Sequence, residues 1–306
     1  MDFRQFKQFS KYLESSGWKT ARLSDGTYVY IFNLPILGTI LRIPRPKPPI
    51  KFDEIDMIAK RNKALLIKLE PDTPSSDQNL TNKLKQNGYI FDNWSIEPTN
   101  TLIINLKQPE QSLFKNIRSK WQKYIRLSQK KGVEITPSDD IDEFIRIWQE
   151  NAQSKGYIIE NPSKTRAIWH QFRQAEAAEL LFASKSNEKV AGIFLIFSTH
   201  RTHLWHMAYD GRYEKLHPMR LLIWKSILYA KSLRFEEFDF EGIKDPRLPY
   251  TEKLQPTFFK QGFGGFEKQY IGSFVKYLKP LHSLPFIIMG KFKPDIFRGL
   301  FKKFYG

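Results

Sequence analysis

The sequence predicts an α/β (α+β) fold of mixed sheets flanked by helices, arranged as two related units. Three observations predict it. Amphipathic segments and short apolar runs alternate along the chain, the pattern of sheets covered by helices. The order of elements over residues 1–138 is largely repeated over 139–274, although no residue-level repeat is visible. The chain has 306 residues, 41% hydrophobic and 15% aromatic, too many for one small core and enough for two.

The elements follow in order. Phe6, Phe9, Tyr12 and Leu13 share one helical face, and Gly17 closes that helix. Thr27 to Phe32 and Leu37 to Ile43 read as strands, punctuated by Asp25-Gly26 and Leu37-Gly38. The run Pro44-Arg45-Pro46-Lys47-Pro48-Pro49 excludes helix interior and central strand. A helix begins near Phe52, Ala64 to Leu69 is a buried strand, and Asn79 to Asn87 is a short helix ended by Gly88. Thr101 to Leu106 is a strand, and one strongly basic helix runs from Glu110 to Lys131 before the short strand Val133 to Ile135. Helices follow at Asp139 to Ser154 and Ser163 to Glu179, then strands at Leu180 to Ser184, Val190 to Phe197 and His203 to Tyr209. Pro218 to Lys231 is a helix and Phe235 to Phe240 a strand. From about Phe274 the chain is aromatic and basic, ending Phe297-Arg298-Gly299-Leu300-Phe301-Lys302-Lys303-Phe304-Tyr305. This tail is either a membrane-surface helix or a helix docked on the first unit.

Charge and composition narrow the partners. The 49 Lys and Arg outweigh 32 Asp and Glu for a net charge of +17, a field that attracts RNA, nucleotide phosphates or anionic lipid. The absence of cysteine excludes disulfides, thiolate nucleophiles and cysteine-held zinc. The start Met1-Asp2-Phe3-Arg4-Gln5 lacks an apolar signal region, and no apolar run approaches the roughly 20 residues that span a bilayer. The expectation is a soluble cytoplasmic protein. No His-Glu-x-x-His, phosphate-binding Gly-x-x-x-x-Gly-Lys-Ser/Thr or Gly-x-Ser-x-Gly motif occurs, which argues against a zinc hydrolase, ATP-driven ligation and a serine hydrolase.

Four stretches carry candidate chemistry. In Phe258-Phe259-Lys260-Gln261-Gly262-Phe263-Gly264-Gly265, the glycines permit tight turns and close approach of a ligand, and Lys260 can place charge where an oxyanion develops. The alternative is a glycine turn with a solvated lysine. Asp239-Phe240-Glu241-Gly242-Ile243 ends a strand. If extended, it points Asp239 and Glu241 to one side, either to hold an amine and take a proton or to pair with neighbours such as Lys244. The basic helix interleaves Lys115, Arg118, Lys120, Lys123, Arg126, Lys130 and Lys131 with Phe114, Trp121 and Tyr124, for phosphate contacts or as a solvated face. Arg45 and Lys47 on a stiff proline frame suit a diphosphate headgroup, or merely end an edge strand.

These motifs, in this order, resemble the FemABX family of peptidoglycan interpeptide-bridge aminoacyltransferases. The resemblance runs nearly end to end, through Phe9 to Trp18, Ile43-Pro44-Arg45-Pro46, Glu97-Pro98-Thr99-Asn100-Thr101, Tyr124 to Val133, Asp239 to Ile243 and Phe259 to Gly265. It implies two tandem GNAT-like domains: residues 1–138 with 275–306, and residues 139–274. It also implies a tail that returns to the first domain; no long helical-hairpin (coiled-coil) insertion has room here.

The activity implied is transfer of an amino acid from aminoacyl-tRNA to the peptide amine of a nucleotide- or lipid-linked peptidoglycan precursor. By match to the family's Phe-Lys pair, Lys260 stabilises the oxyanion and Phe259 shapes the acyl or adenosine pocket. Asp239, Glu241, Gly264 and Gly265 contact substrate, Arg45 and Lys47 hold the diphosphate, and Lys120, Lys123 and Arg126 hold tRNA. Residues Tyr213 to Arg220, where acetyltransferases grip pyrophosphate, contain no glycine, and Pro218 removes a donor, so no coenzyme A is expected. Nor is ATP or a metal. Peripheral contact with the inner face of the plasma membrane through the tail is a further expectation.

The chain departs from the family at Gln122-Lys123-Tyr124-Ile125-Arg126, at Pro46 and at Ile159 to Thr165, which leaves the acceptor open. Two competing readings are an acyl-CoA-dependent enzyme acting on another polysaccharide or peptide, and a non-catalytic RNA or membrane binder.

Overall fold

The computed structural model describes residues 1–34, 38–155, 161–248, 256–279 and 284. In chain order the elements begin α1 (Lys7–Ser15), β1 (Lys19–Arg22), β2 (Tyr28–Leu34), β3 (Gly38–Pro44), α2 (Phe52–Arg61), β4 (Ala64–Glu70), α3 (Gln78–Gln86), β5 (Ile90–Asp92) and β6 (Asn100–Asn105). They continue with α4 (Glu110–Asn116), α5 (Ser119–Lys130), β7 (Glu134–Pro137), α6 (Ile141–Lys155), α7 (Pro162–Arg173), β8 (Ala178–Lys185), β9 (Glu188–Phe197) and β10 (Arg201–Tyr209). The last are α8 (Pro218–Ser232), β11 (Glu237–Gly242), α9 (Thr257–Gln261), β12 (Phe266–Gln269) and β13 (Ser273–Tyr277).

Two compact units result. One comprises Met1–Asn100 with the described residues of 244–255 and 268–306; the other comprises Thr101–Ile243 and Pro256–Glu267. The divide falls near residue 100, not at residue 138 as read from the sequence. Strand pairing is the reason: β6 lies antiparallel beside β11, with Ile103 opposite Asp239, and so joins the second sheet. That pairing is non-local and leaves no mark in local periodicity.

Among the described residues the first unit is a six-stranded mixed sheet in the order β1-β2-β3-β4-β13-β5. Only β3 and β4 pair in parallel, and α2 makes the crossover between them. Ile55 and Ala59 bury one stripe of α2, while Asp53 and Glu54 in its first turn and Lys60 and Arg61 in its last complement the helix dipole. Val29, Ile31, Leu41, Ile43, Ile67 and Leu69 form the core with Leu80, Leu84 and Phe274. The start of the tail is therefore a strand, β13, not a helix. Its aromatic and basic end lies outside the described residues.

Among the described residues the second unit is a seven-stranded mixed sheet in the order β12-β6-β11-β10-β9-β8-β7. Central β9 is buried on both faces. Ala191, Ile193 and Leu195 join the core of α5 and α8, while Phe194 on the opposite face meets Phe144 and Trp169 from α6 and α7.

The single basic helix expected over 110–131 is two helices, broken by extended residues at Ile117 and Arg118. A tertiary bond replaces the helical one: the Arg118 N–H donates to Gly262 O at 2.8 Å.

Candidate active site

Strands β10 and β11 pair in parallel only over Arg201–His203 and Glu237–Asp239. At the C-terminal end of β11 the ladder to β6 shifts register between Asp239 and Gly242, and Glu241 takes a left-handed φ of 57°. A non-glycine residue held there stores local strain, which marks functional sites more often than ordinary strands. The even alternation expected for Asp239 and Glu241 is therefore broken. The bulge nevertheless brings both carboxylates close to His203, with ligating atoms of all three residues within 4.8 Å of one another.

Every member is held. Asp239 accepts from Arg201 Nη1 at 3.1 Å, from the Thr101 hydroxyl and from the Glu241 N–H at 2.8 Å. His203 is only 1% exposed. Its Nδ1 lies 2.6 Å from Glu241 Oε1 and its Nε2 lies 3.0 Å from Ser198 Oγ, so the imidazole bridges a carboxylate and a hydroxyl. The Glu241 side chain is 12% exposed against 3% for Asp239, so Glu241 is the more accessible acid.

Lys260, on α9, completes the group. The residue is 5% exposed, and its ammonium donates to Phe240 O at 2.8 Å and Gly242 O at 2.6 Å. The bulge at Glu241 turns both carbonyls toward it. An ammonium has three N–H donors, and among the described residues the third has no acceptor. Burial pushes the Lys260 pKa down to about 8, opposed by Glu241 and Asp239. The sequence reading of a flexible turn with a lysine at its edge corresponds to a lysine locked inside the unit. The His203, Asp239 and Glu241 spacing suits a divalent cation, but Lys260 and Arg201 already bring positive charge to these carboxylates.

The glycines meet the protein itself. A Cβ on Gly265 would lie 2.5 Å from Ile103 O, and one on Gly264 would lie 2.9 Å from Asn116 O; both residues have positive φ. They seat the turn before β12 against β6 and α4. A Cβ on Gly262 would strike the Trp121 indole at 2.3 Å. Gly262→Ala is expected to lower stability by about 1–3 kcal/mol, as overpacking does; a thermal melt matching wild type would remove this packing role.

The other sequence-chosen residues separate. Arg45 is 4% exposed, donates to Pro98 O and lies 3.7 Å from the Tyr270 ring centre, so its guanidinium braces the first unit internally. Lys47 is exposed. Phe259 is half-buried, 5.6 Å from Phe263 between ring centres. Lys120, Lys123 and Arg126 are exposed along α5. Sequence reasoning missed His203, Ser198, Arg201 and Thr101. His203 was visible only as one histidine in a strand, since nothing local links it to Glu241.

The comparisons with known proteins agree with this architecture. Residues 111–250 match the acetyltransferase (GNAT) domain family model. Match and fold together support an acyltransferase built on a GNAT-type fold. In particular, the chain is similar in structure to FemX (TM-score 0.80, 17% identity, 92% of this chain and 94% of that chain), so the FemABX resemblance holds in fold over nearly the whole length. It is similar also to the C-terminal domain of a protein described as a lysylphosphatidylglycerol synthetase from Agrobacterium fabrum (TM-score 0.64, 10% identity, 94% and 93% covered). L-PGS from Bacillus licheniformis follows (TM-score 0.60, 12% identity, 91% and 90% covered). No curated protein sequence matches the chain. No described helix is long and apolar enough to cross a membrane.

Proposed function

We propose that the protein transfers an amino acid from aminoacyl-tRNA to the amine of a peptidoglycan-precursor peptide. The observation that carries this reading is the Lys260 ammonium, held by Phe240 O and Gly242 O with one N–H to spare, beside the Glu241–His203 pair. The amine attacks the ester carbonyl, and a tetrahedral oxyanion forms that the third Lys260 N–H stabilises. Glu241, backed by His203, takes the proton lost by the amine. The intermediate collapses and expels the ribose oxygen, which takes the proton that Glu241 received from the amine and leaves as the hydroxyl. The ester is already activated, so the reading needs no ATP, coenzyme A or metal. Phe259 shapes the acyl pocket, and exposed Lys47 rather than buried Arg45 remains open to a diphosphate. The chemistry runs in the cytoplasm, with a lipid-linked acceptor reached at the inner face of the plasma membrane.

Incubation with labelled aminoacyl-tRNAs and muropeptide precursors tests the reading: label moves into the precursor. Label appearing only from acyl-CoA would sink it. The similarity to proteins described as lysylphosphatidylglycerol synthetases favours one second reading, with the same donor and a phosphatidylglycerol hydroxyl as acceptor. Label in lipid instead of muropeptide would select it.

The pH dependence has a defined sign. The cation that stabilises the oxyanion is present below a pKa of about 8, so transfer falls as pH rises through that value. Stability moves the other way. The folded pKa lies below the ordinary 10.5, so the unfolded chain binds more protons between about 8 and 10.5. The penalty of burying the cation is complete below that window and is relieved as pH rises through it. A rate rising through pH 8–9 would contradict the assignment.

A further inference from the structure

A cleft of about 410 Å³ opens in the first unit between the end of α2 and the end of β13. Its floor is apolar, with buried Ala59 and Ala64 beside half-buried Leu278. Its rim is four lysines, Lys60, Lys63, Lys276 and Lys279, against one carboxylate, Asp56. Lys276 takes that carboxylate, with Nζ 2.7 Å from Asp56 Oδ2 and 2.9 Å from Oδ1. Lys60, Lys63 and Lys279 are exposed, and among the described residues no carboxylate pairs with them.

Helix electrostatics explains only part of this. Cations in the last turn of a helix meet its partial negative charge, which accounts for Lys60 and Arg61. Lys276 and Lys279 come from another part of the chain. Lys63 follows the cap at Asn62 with a left-handed φ of 52°, where helices usually end on glycine. A lysine held there stores strain, and it puts its side chain on the rim of the cleft.

The surroundings define the partner. Met57, 52% exposed, lies one turn before Lys60 and Arg61 on the same side of α2. From Lys279 the chain runs directly into residues 280–306, which carry five Lys or Arg against Asp295. The same stretch holds Phe286, Phe292, Phe297, Phe301, Phe304 and Tyr305. Basic groups beside apolar and aromatic ones suit anionic lipid, with charge on the headgroups and apolar side chains at the acyl boundary. Among the described residues no aromatic ring lines the cleft, so a nucleic acid would find phosphate pairing there without base stacking. We propose that this cleft is a docking surface for an anionic lipid bilayer. Headgroup phosphates pair with Lys60, Lys63 and Lys279, and Met57 meets the acyl boundary. The active-site reading calls for an acceptor at a membrane, but vesicle binding needs neither tRNA nor transfer, so the two fail separately.

Co-sedimentation of the full chain with vesicles tests the surface. Equimolar phosphatidylcholine and phosphatidylglycerol is compared with phosphatidylcholine alone, at low and high salt. The protein is expected on the anionic vesicles only, and less at high salt. Lys60→Gln, Lys63→Gln and Lys279→Gln are each expected to weaken binding about fivefold, the share of one lysine at such a surface. Residues 280–306 are unchanged in all three, so the loss belongs to the cleft. Lys63→Gly is the sharper variant: it relieves the left-handed backbone, so its melting temperature rises while its binding falls. Lys11→Gln in α1 is neutral, because α1 lies across the sheet. Phe9 of α1 packs on Tyr30, whose neighbours Val29 and Ile31 share the opposite core with Ile55 of α2. Wild-type binding in the Lys60→Gln/Lys63→Gln double variant overturns the proposal. So does equal binding to neutral vesicles, or a Lys63-dependent affinity for a single-stranded oligonucleotide with none for anionic vesicles.

Discussion

Lys260→Met is expected to lose about 10²–10³ in transfer rate, the usual effect of removing one preorganised oxyanion donor. Methionine keeps the length and apolar stem but supplies no charge and no N–H. The loss should fall on kcat, because the oxyanion exists only in the transition state. A structural consequence accompanies it. Phe240 O and Gly242 O lose their donor, so the left-handed turn at Glu241 loosens. Pairing the kinetic assay with a thermal melt separates the two roles. Full transfer activity in the variant would refute catalysis by Lys260. A rate loss fully recovered by cooling would assign the lysine to bracing alone.

Asp239→Ala is expected to destabilise the second unit by about 3–5 kcal/mol, the range for breaking a buried ion pair from one side. Arg201 keeps Glu237 at 2.5 Å and Thr101 Oγ1 keeps Glu241 O at 2.7 Å, but the Glu241 N–H loses its acceptor and Arg201 Nη1 its second carboxylate. At about 2–4 °C per kcal/mol for a unit of this size, the melting temperature should fall well beyond measurement error. Asp239→Asn, which keeps an oxygen acceptor, should cost less. An alanine variant melting with wild type would show that Asp239 is not the keystone of the strand end.

Much of the secondary structure was legible because it follows from local periodicity. Ala64 to Leu69 is a run of apolar residues in which only Lys68 is charged, and it is β4, buried along its length; Pro218 to Lys231 is α8, with proline at its start. Of the shortest strands only β7 was legible, as Val133 to Ile135. β1, β5 and β12, of three or four residues, carry too little pattern to stand out, and they exist because neighbouring strands pair with them. The break between α4 and α5 was equally hidden. Ile117 and Arg118 have no helix-breaking chemistry, and it is Gly262 O that takes the Arg118 N–H.

The site divides in the same way. The Lys260 and Glu241 motifs stood out in the sequence, because a lysine in a glycine-rich run and carboxylates at a strand end are unusual locally. Arg45 stood out for the same reason, but it is spent on Pro98 O and the Tyr270 ring. Local chemistry identifies a candidate group and says nothing of what already occupies it.

By itself, then, the sequence determined the alternating α/β layers, the positive field and the residue types able to stabilise an oxyanion or accept a proton. These depend on spacing along the chain and on composition, which tertiary contacts do not alter. Only the tertiary structure decided that β6 belongs with β11, that His203 backs Glu241, that Lys260 is buried on two backbone carbonyls, and that Arg220 meets Trp121. Each of these joins residues far apart in the chain, and burial of the apolar sheet faces, not local preference, brings them together.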